Sequence, residues 1–197
     1  MATLPKLFPS RMTVGEFLDW PGDGSGKKFE LVDGEPRAMA PASGTHGRIQ
    51  ATLARLLGNH LVGTGCGAVI EPGVVPRVLA AANMRVPDVV VTCEADDPGV
   101  HALAEPILIV EVLSPSNEAE TRENVWAYTT IPTVREILLI RSTHIAAELI
   151  RREPDGSWPA TSISIGEHDW LPLKSIDFGC ALTAVYEGTR FYRGSES

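Results

Sequence analysis

Cysteine is scarce in this chain of 197 residues: Cys66, Cys93 and Cys180 stand far apart with no CxxC pair. That argues against a zinc site and against a disulfide framework, and it makes a reducing cytoplasm the simplest home. Long apolar runs are missing as well. Nothing approaches the ~18 residues of a membrane span, and residues 1–24 hold no unbroken apolar h-region, so neither export nor membrane insertion is expected. Basic residues are in the minority, 17 Lys and Arg against 25 Asp and Glu, for a formal charge of -8. A chain of that sign repels a phosphate backbone as a whole, so a role on nucleic acid needs a local basic patch or a bound cation. There is no GxxxxGK[ST], no GxGxxG after a strand, no HExxH and no GxSxG. Nucleotide, dinucleotide, zinc-protease and hydrolase readings of those motifs therefore lack support. Internal repeats and low-complexity segments are absent too.

What is present is an ordinary globular composition, 44% hydrophobic and 21% charged, at a length that suits one domain over 1–197. Residues 1–28 read as a helical and flexible N-terminal segment, with Thr13 capping a short helix over 13–19 that Trp20, Pro21 and the run 22–26 break. Phe29 to Val32, Asp33-Gly34 and Glu35 to Met39 predict a hairpin. From Thr45, the apolar residues Ile49, Leu53, Leu56, Leu57 and Leu61 recur at helical intervals, so a helix over 45–62 follows. Strands are expected at 66–71, at 86–91 and at 106–113, the last two with apolar runs that imply burial on both faces. A helix over 118–130, with Val125, Trp126 and Tyr128 as its apolar residues, then leads to a strand over 133–140. That strand-helix-strand order makes a parallel pair. Residues 29–140 form the core of this reading, and 141–197 a β meander with a loosely ordered tail at Gly194 to Ser197.

Glu111 is the first anomaly, because a carboxylate inside ILIVEVL must be desolvated or served by a partner. A strand-end Glu reaching solvent or pairing with an arginine is the plain alternative to a functional carboxylate. Asp88 follows Pro87 at the mouth of VVV, which by itself is ordinary turn chemistry. Two acids on two apolar strands of one sheet can converge, and together they supply hard oxygen ligands for Mg²⁺ or Mn²⁺, whose charge relieves their repulsion. Glu30 could add a third carboxylate, or be an exposed hairpin residue. His46 could ligate a metal or hold water, or simply stand at the helix start. Arg48 and Arg55 on the helix could contact DNA, or form a solvated face.

FELVDGE at 29–35, His46 within SGTHGRI, VPDVVV at 86–91, PILIVEVLSPS at 106–116, the next helix with Tyr128, and VREILLI resemble the Uma-type restriction endonuclease family. That family lies within the PD-(D/E)xK nuclease superfamily. The resemblance runs in order over about 13–140 and more weakly through the meander. It implies an α/β (mixed α+β sheet) restriction-endonuclease-like core, with a central mixed β-sheet flanked by helices. It further implies a divalent-metal-dependent endonuclease hydrolysing DNA phosphodiester bonds, with Asp88 and Glu111 as ligands of Mg²⁺ or Mn²⁺. Glu30 and His46 match the family's additional acid and histidine, and its members suggest a homodimer, to which an apolar meander over 160–192 would lend surface.

The chain departs from the family pattern at the lysine. The superfamily places it two residues after the acid, where Leu113 stands here, and the Uma-type family commonly places it four residues before the tyrosine, at Asn124. Glu30 or His46 would then position water and Arg122 or Asn124 contact phosphate; Arg122 is the nearby cation, though its guanidinium cannot exchange a proton near neutral pH. The competing reading is a nuclease fold without turnover, acting as a binding or assembly module. A third is a structural homo-oligomer whose Glu111 pairs with an arginine over a closed cleft.

Overall fold

A computed structural model of the chain describes residues 11–193; the tail at 194–197 lies outside the described residues. Thr13 caps α1 (Val14–Leu18) in a reciprocal box, its side chain accepting from the Glu16 N–H while its own N–H donates to the Glu16 carboxylate. The hairpin is β1 (Phe29–Val32) against β2 (Glu35–Ala38), turned by Asp33 and Gly34 at φ 51° and 83°. Two successive positive φ values match the right-handed twist of the flanking strands. Ser43 caps α2 (Gly44–Leu61), which buries Ile49, Leu53, Leu57 and Leu61 on one side.

The chain then runs through β3 (Gly67–Ile70), β4 (Gly73–Val74), β5 (Val89–Thr92), β6 (Ala102–Leu103), β7 (Pro106–Leu113), α3 (Glu118–Tyr128), β8 (Glu136–Arg141), β9 (Ala146–Arg151) and β10 (Ile163–Gly166). A separate hairpin of β11 (Trp170–Leu173) and β12 (Phe178–Ala181) precedes α4 (Leu182–Val185). Six strands form one mixed sheet in the order β10-β9-β8-β7-β5-β3, in which β7 and β8, joined by α3, are the parallel pair. The two-residue pair of β4 and β6 was not expected from the sequence.

Strand alternation sorts the core into two layers. Leu108, Val110 and Val112 of β7 pack with α2, with Leu138 and Ile140 of β8, and with meander residues such as Leu171, Leu182 and Tyr186. Ile109 and Leu113 point the other way, to Tyr128 of α3 with Ile137 and Leu139. Glu111, between Ile109 and Leu113, therefore faces the α3 layer.

Several expectations need correction. Pro87 has no N–H for the ladder, and the strand expected from Val86 begins only at Val89, leaving Asp88 at its lip. Trp126 is 63% exposed, and the buried side of α3 is Thr121, Asn124, Ala127 and Tyr128, because that helix covers a polar cavity as well as the core. Most of the meander's apolar residues, such as Leu171, Leu173, Leu182 and Val185, go into the α2 layer, while Ile163 and Trp170 stay exposed. Cys66 and Cys93 form a disulfide, since the Gly67↔Thr92 register sets them opposite each other with Cα atoms 3.9 Å apart. Sequence distance said nothing about that, and the cysteine argument for a reducing compartment no longer holds. Cys180 is free.

Gly73 is where backbone approach is closest: an added Cβ would lie 2.7 Å from the His101 carbonyl oxygen and 3.1 Å from Met84 Sδ. Gly73→Ala should lower stability by about 1–3 kcal/mol through overpacking, read as a lower urea midpoint with an unchanged slope. An unchanged midpoint would show that the β4–β6 contact gives way freely.

Candidate active site

The antiparallel register of β5 and β7 pairs Val89 with Val110, so one step outward Asp88 stands opposite Glu111. Residues so opposed have Cβ atoms about 4.5–5.5 Å apart. Both acids are 6% exposed. The Asp88 Oδ2 accepts a hydrogen bond from the Val112 N–H at 2.6 Å, and His46 Nε2 lies 2.8 Å from Oδ1, where a ring N–H donates to a carboxylate. Gln50, one helical turn beyond His46, donates to the Asp88 carbonyl at 2.9 Å. Two residues of α2 thus hold the loop end that carries the acid.

α3 serves the other carboxylates by the same i, i+4 spacing. The Tyr128 hydroxyl donates to Glu111 Oε1 at 2.6 Å, and Asn124 Nδ2 donates to Glu30 Oε2 at 3.0 Å. The partner of Glu111 is thus a phenol and not the arginine of the plain alternative. Glu30 is only 4% exposed, not an outward hairpin residue. Burial pushes the Glu111 carboxyl well above the usual carboxylate range, and repulsion from Asp88 and Glu30 adds to it against the Tyr128 bond. Burial likewise raises Glu30, opposed by the Arg85 charge and the Asn124 bond. Tyr128 is raised by its own burial and by Glu111.

Glu30, His46, Asp88, Glu111 and Asn124 line one cavity of about 390 Å³. Arg122 does not reach it: its guanidinium is taken by Glu118 at 3.1 Å and Glu148 at 2.8 Å, carboxylates it shares with Arg141. Arg48 and Arg55 are exposed and also lie outside the lining, with Arg55 paired to Glu187. At about 100° per residue, both fall roughly opposite His46 around α2, which is why a sequence stripe did not become a wall of the cavity. Leu113 is 2% exposed inside the apolar α3 layer. Sequence reasoning missed Lys28, Gln50, Glu71 and Glu120. Of these, only Gln50 carried a signal, its i, i+4 relation to His46.

Among the described residues, no group of three or more His, Cys, Asp or Glu side chains is arranged to hold a metal ion. Mg²⁺ does not require one, since it is commonly bound through one or two carboxylates with water and substrate phosphate completing its shell. The opposed Asp88 and Glu111 fit that donor set. Asn124 lines the same cavity, and its Oδ1, buried and without a hydrogen-bond partner, is free to accept from a water of that shell. Hard oxygen donors of this kind suit Mg²⁺ or Mn²⁺ better than a soft ion.

Comparison with known proteins gives a consistent picture. The model of the Uma2 family, described as "Putative restriction endonuclease", matches residues 14–184. The protein slr1290 of Synechocystis is 33% identical over 192 residues, covering 96% of each chain. A second Synechocystis protein, sll1609, is 29% identical over 161 residues, 80% of this chain and 89% of its own. The crystal structure of a putative nuclease belonging to DUF820 from Anabaena variabilis superposes with a TM-score of 0.72 at 16% identity. It covers 89% of this chain and 97% of that one, a likeness of fold.

Proposed function

The chain belongs to the Uma2 family described as putative restriction endonucleases, and on that premise we propose that it is a divalent-metal-dependent endonuclease hydrolysing DNA phosphodiester bonds. The observation that carries the reading is the placement of Asp88 opposite Glu111, both desolvated, at the wall of a cavity open to substrate. Two like charges so placed are costly unless a cation or a proton joins them. Held there by Asp88 and Glu111, Mg²⁺ or Mn²⁺ would supply Lewis acidity and a water of lowered pKa. His46 and the Val112 N–H hold the Asp88 carboxylate in place, and Tyr128 holds Glu111. Glu30, whose carboxyl burial raises above the usual carboxylate range, lines the same cavity and is the group suited to take a proton from an attacking water.

Nicking of supercoiled plasmid with Mg²⁺ and with Mn²⁺ tests the reading, with Glu111→Ala as the control for contaminating nuclease. Metal-dependent nicking lost in that variant supports it. Mn²⁺ binding without nicking would favour the second reading, a binding or assembly module, for which the absence of lysine at 113 and 124 is the specific observation.

In this reading residues 1–197 act as one unit on cytoplasmic DNA. No helix among the described residues is long and apolar enough to cross a membrane. The reading includes a homodimer, for which the edge strand β10, with Ile163 47% exposed, and Trp170, 63% exposed, provide apolar surface. Sedimentation at micromolar concentration should give twice the 21.2 kDa chain mass, and a single species at the chain mass would overturn it.

A further inference from the structure

A phosphodiester brings negative charge into a cavity that already holds Glu30, Glu71, Asp88, Glu111 and Glu120. Among the described residues, its lining contains two lysines and no arginine: Lys27 and Lys28, on the segment that leads from the glycine run into β1. We infer that Lys28 is the phosphate-holding cation of this site, held on Glu71 until substrate arrives; the inference rests on the nuclease reading above.

The backbone aims Lys28 at the site. The Met39 N–H donates to the Lys28 carbonyl at 2.9 Å, which extends the β1–β2 hairpin by one rung and gives Lys28 strand geometry. A period of two then turns Lys28, not Lys27, to the same side as Glu30. Its ammonium is bonded to the Glu71 carboxylate, which that lysine holds below the usual carboxylate range.

Glu71 is in turn fixed to the acid site, since its N–H donates to the Asp88 carbonyl at 3.1 Å. It does so at φ 51°, a backbone conformation that a non-glycine residue keeps only where its surroundings impose it. The Lys28 side chain is 69% exposed. An exposed lysine–carboxylate pair is weak in water, and the four-carbon stem lets the ammonium swing from Glu71 to a phosphate oxygen. The lysine thus offsets the pocket's excess of carboxylate only when an anion competes with Glu71 for it.

The test uses the full chain and a labelled DNA duplex, with anisotropy in Ca²⁺ across a salt series and nicking in Mn²⁺. Lys28→Met should make the slope of log affinity against log salt shallower by about one, the signature of one lost phosphate contact. It should also slow nicking by about 10²-fold, with Mn²⁺ titration and melting temperature unchanged. Lys28→Arg should keep the slope, and Glu71→Gln, which frees the ammonium, should tighten binding. Lys174→Met, an exposed lysine outside the cavity, controls for net charge.

If wild type nicks in a Glu111-dependent way while Lys28→Met matches it in slope and rate, Lys28 is wrong and the nuclease reading stands. If Lys174→Met has an equal effect, the role is overturned as mere net charge. DNA binding without nicking leaves the slope to decide for or against Lys28, and a wild type that neither nicks nor binds DNA overturns both.

Discussion

Glu111→Gln is expected to make the metal-free protein more stable and the site inert. The substitution keeps the shape and the acceptor for the Tyr128 hydroxyl, yet removes a desolvated charge that faces Asp88. Functional carboxylates held against their electrostatic preference are a familiar stability cost, and relieving one is worth about 1–2 kcal/mol, or roughly 2–8 °C in melting temperature for a chain of this size. Metal-dependent nicking should fall by about 10³ or more with the loss of that transition-state stabilisation.

The pH dependence has a definite sign. Glu111, and more weakly Glu30, have folded-state pKa values raised above their unfolded ones. The folded state therefore binds more protons, and the stability these groups contribute is fully present below the ordinary carboxylate pKa and lost as pH rises through the folded value. A cation taking the place of the proton removes that penalty, so Mn²⁺ should raise the melting temperature more at about pH 8 than at about pH 5.5. Glu111→Gln should abolish the metal shift and most of the pH slope, leaving the smaller part that belongs to Glu30. A variant that melts lower than wild type and still responds to Mn²⁺ would place the metal elsewhere.

Asn124→Lys is expected to raise metal-dependent nicking, by about tenfold in wild type and about 10²-fold in a Lys28→Met chain, where no other lysine serves the phosphate. Position 124 suits a cation because its side chain already meets the Glu30 carboxylate, so a lysine there gains a counter-charge. Its other face is the cavity, which a flexible stem can enter. Leu113→Lys should help less and cost about 3–5 kcal/mol, since Leu113 is packed among Ile109, Tyr128, Ile137 and Leu139, and an ammonium there is buried without a partner. Rates on supercoiled plasmid and urea midpoints for the two variants decide it. Equal rescue from 113 and 124 would mean that the phosphate approaches from the β7 side, and no gain from 124 would mean that charge is not what limits the site.

Much of this was legible in sequence wherever the physics is local. The Thr13 cap, the Asp33-Gly34 turn and the 3.6-residue repeat from Ile49 to Leu61 depend on neighbours within a few positions, and they stand where expected. Glu111 was conspicuous for the same reason, as one charge in an apolar strand. Arg122 shows the limit. It is one helical turn from Glu118 and two residues from Asn124, and nothing in that spacing reveals that Glu148 of β9, a carboxylate also bound by Arg141 of β8, would capture it. Trp126 misled in the opposite direction: its apolarity suggested the core, whereas α3 turns Thr121 and Asn124 inward because the surface it covers is partly an open polar cavity.

By itself the sequence determined most of the elements, the parallel β7–α3–β8 unit, the two acids in or beside apolar strands and the absence of a lysine at either expected place. These follow from periodicity, turn chemistry and the cost of burying charge, which act along short stretches of chain. Only the tertiary structure decided which side chains meet. The β5–β7 register set Asp88 opposite Glu111, the β3–β5 register joined Cys66 to Cys93, and the packing of the hairpin over the cavity brought Lys28 to Glu71 across 43 positions. Contacts of that kind depend on how strands align and on which face a helix turns inward. Those choices minimise exposed apolar area and unpaired polar groups over the whole molecule, so no local stretch encodes them.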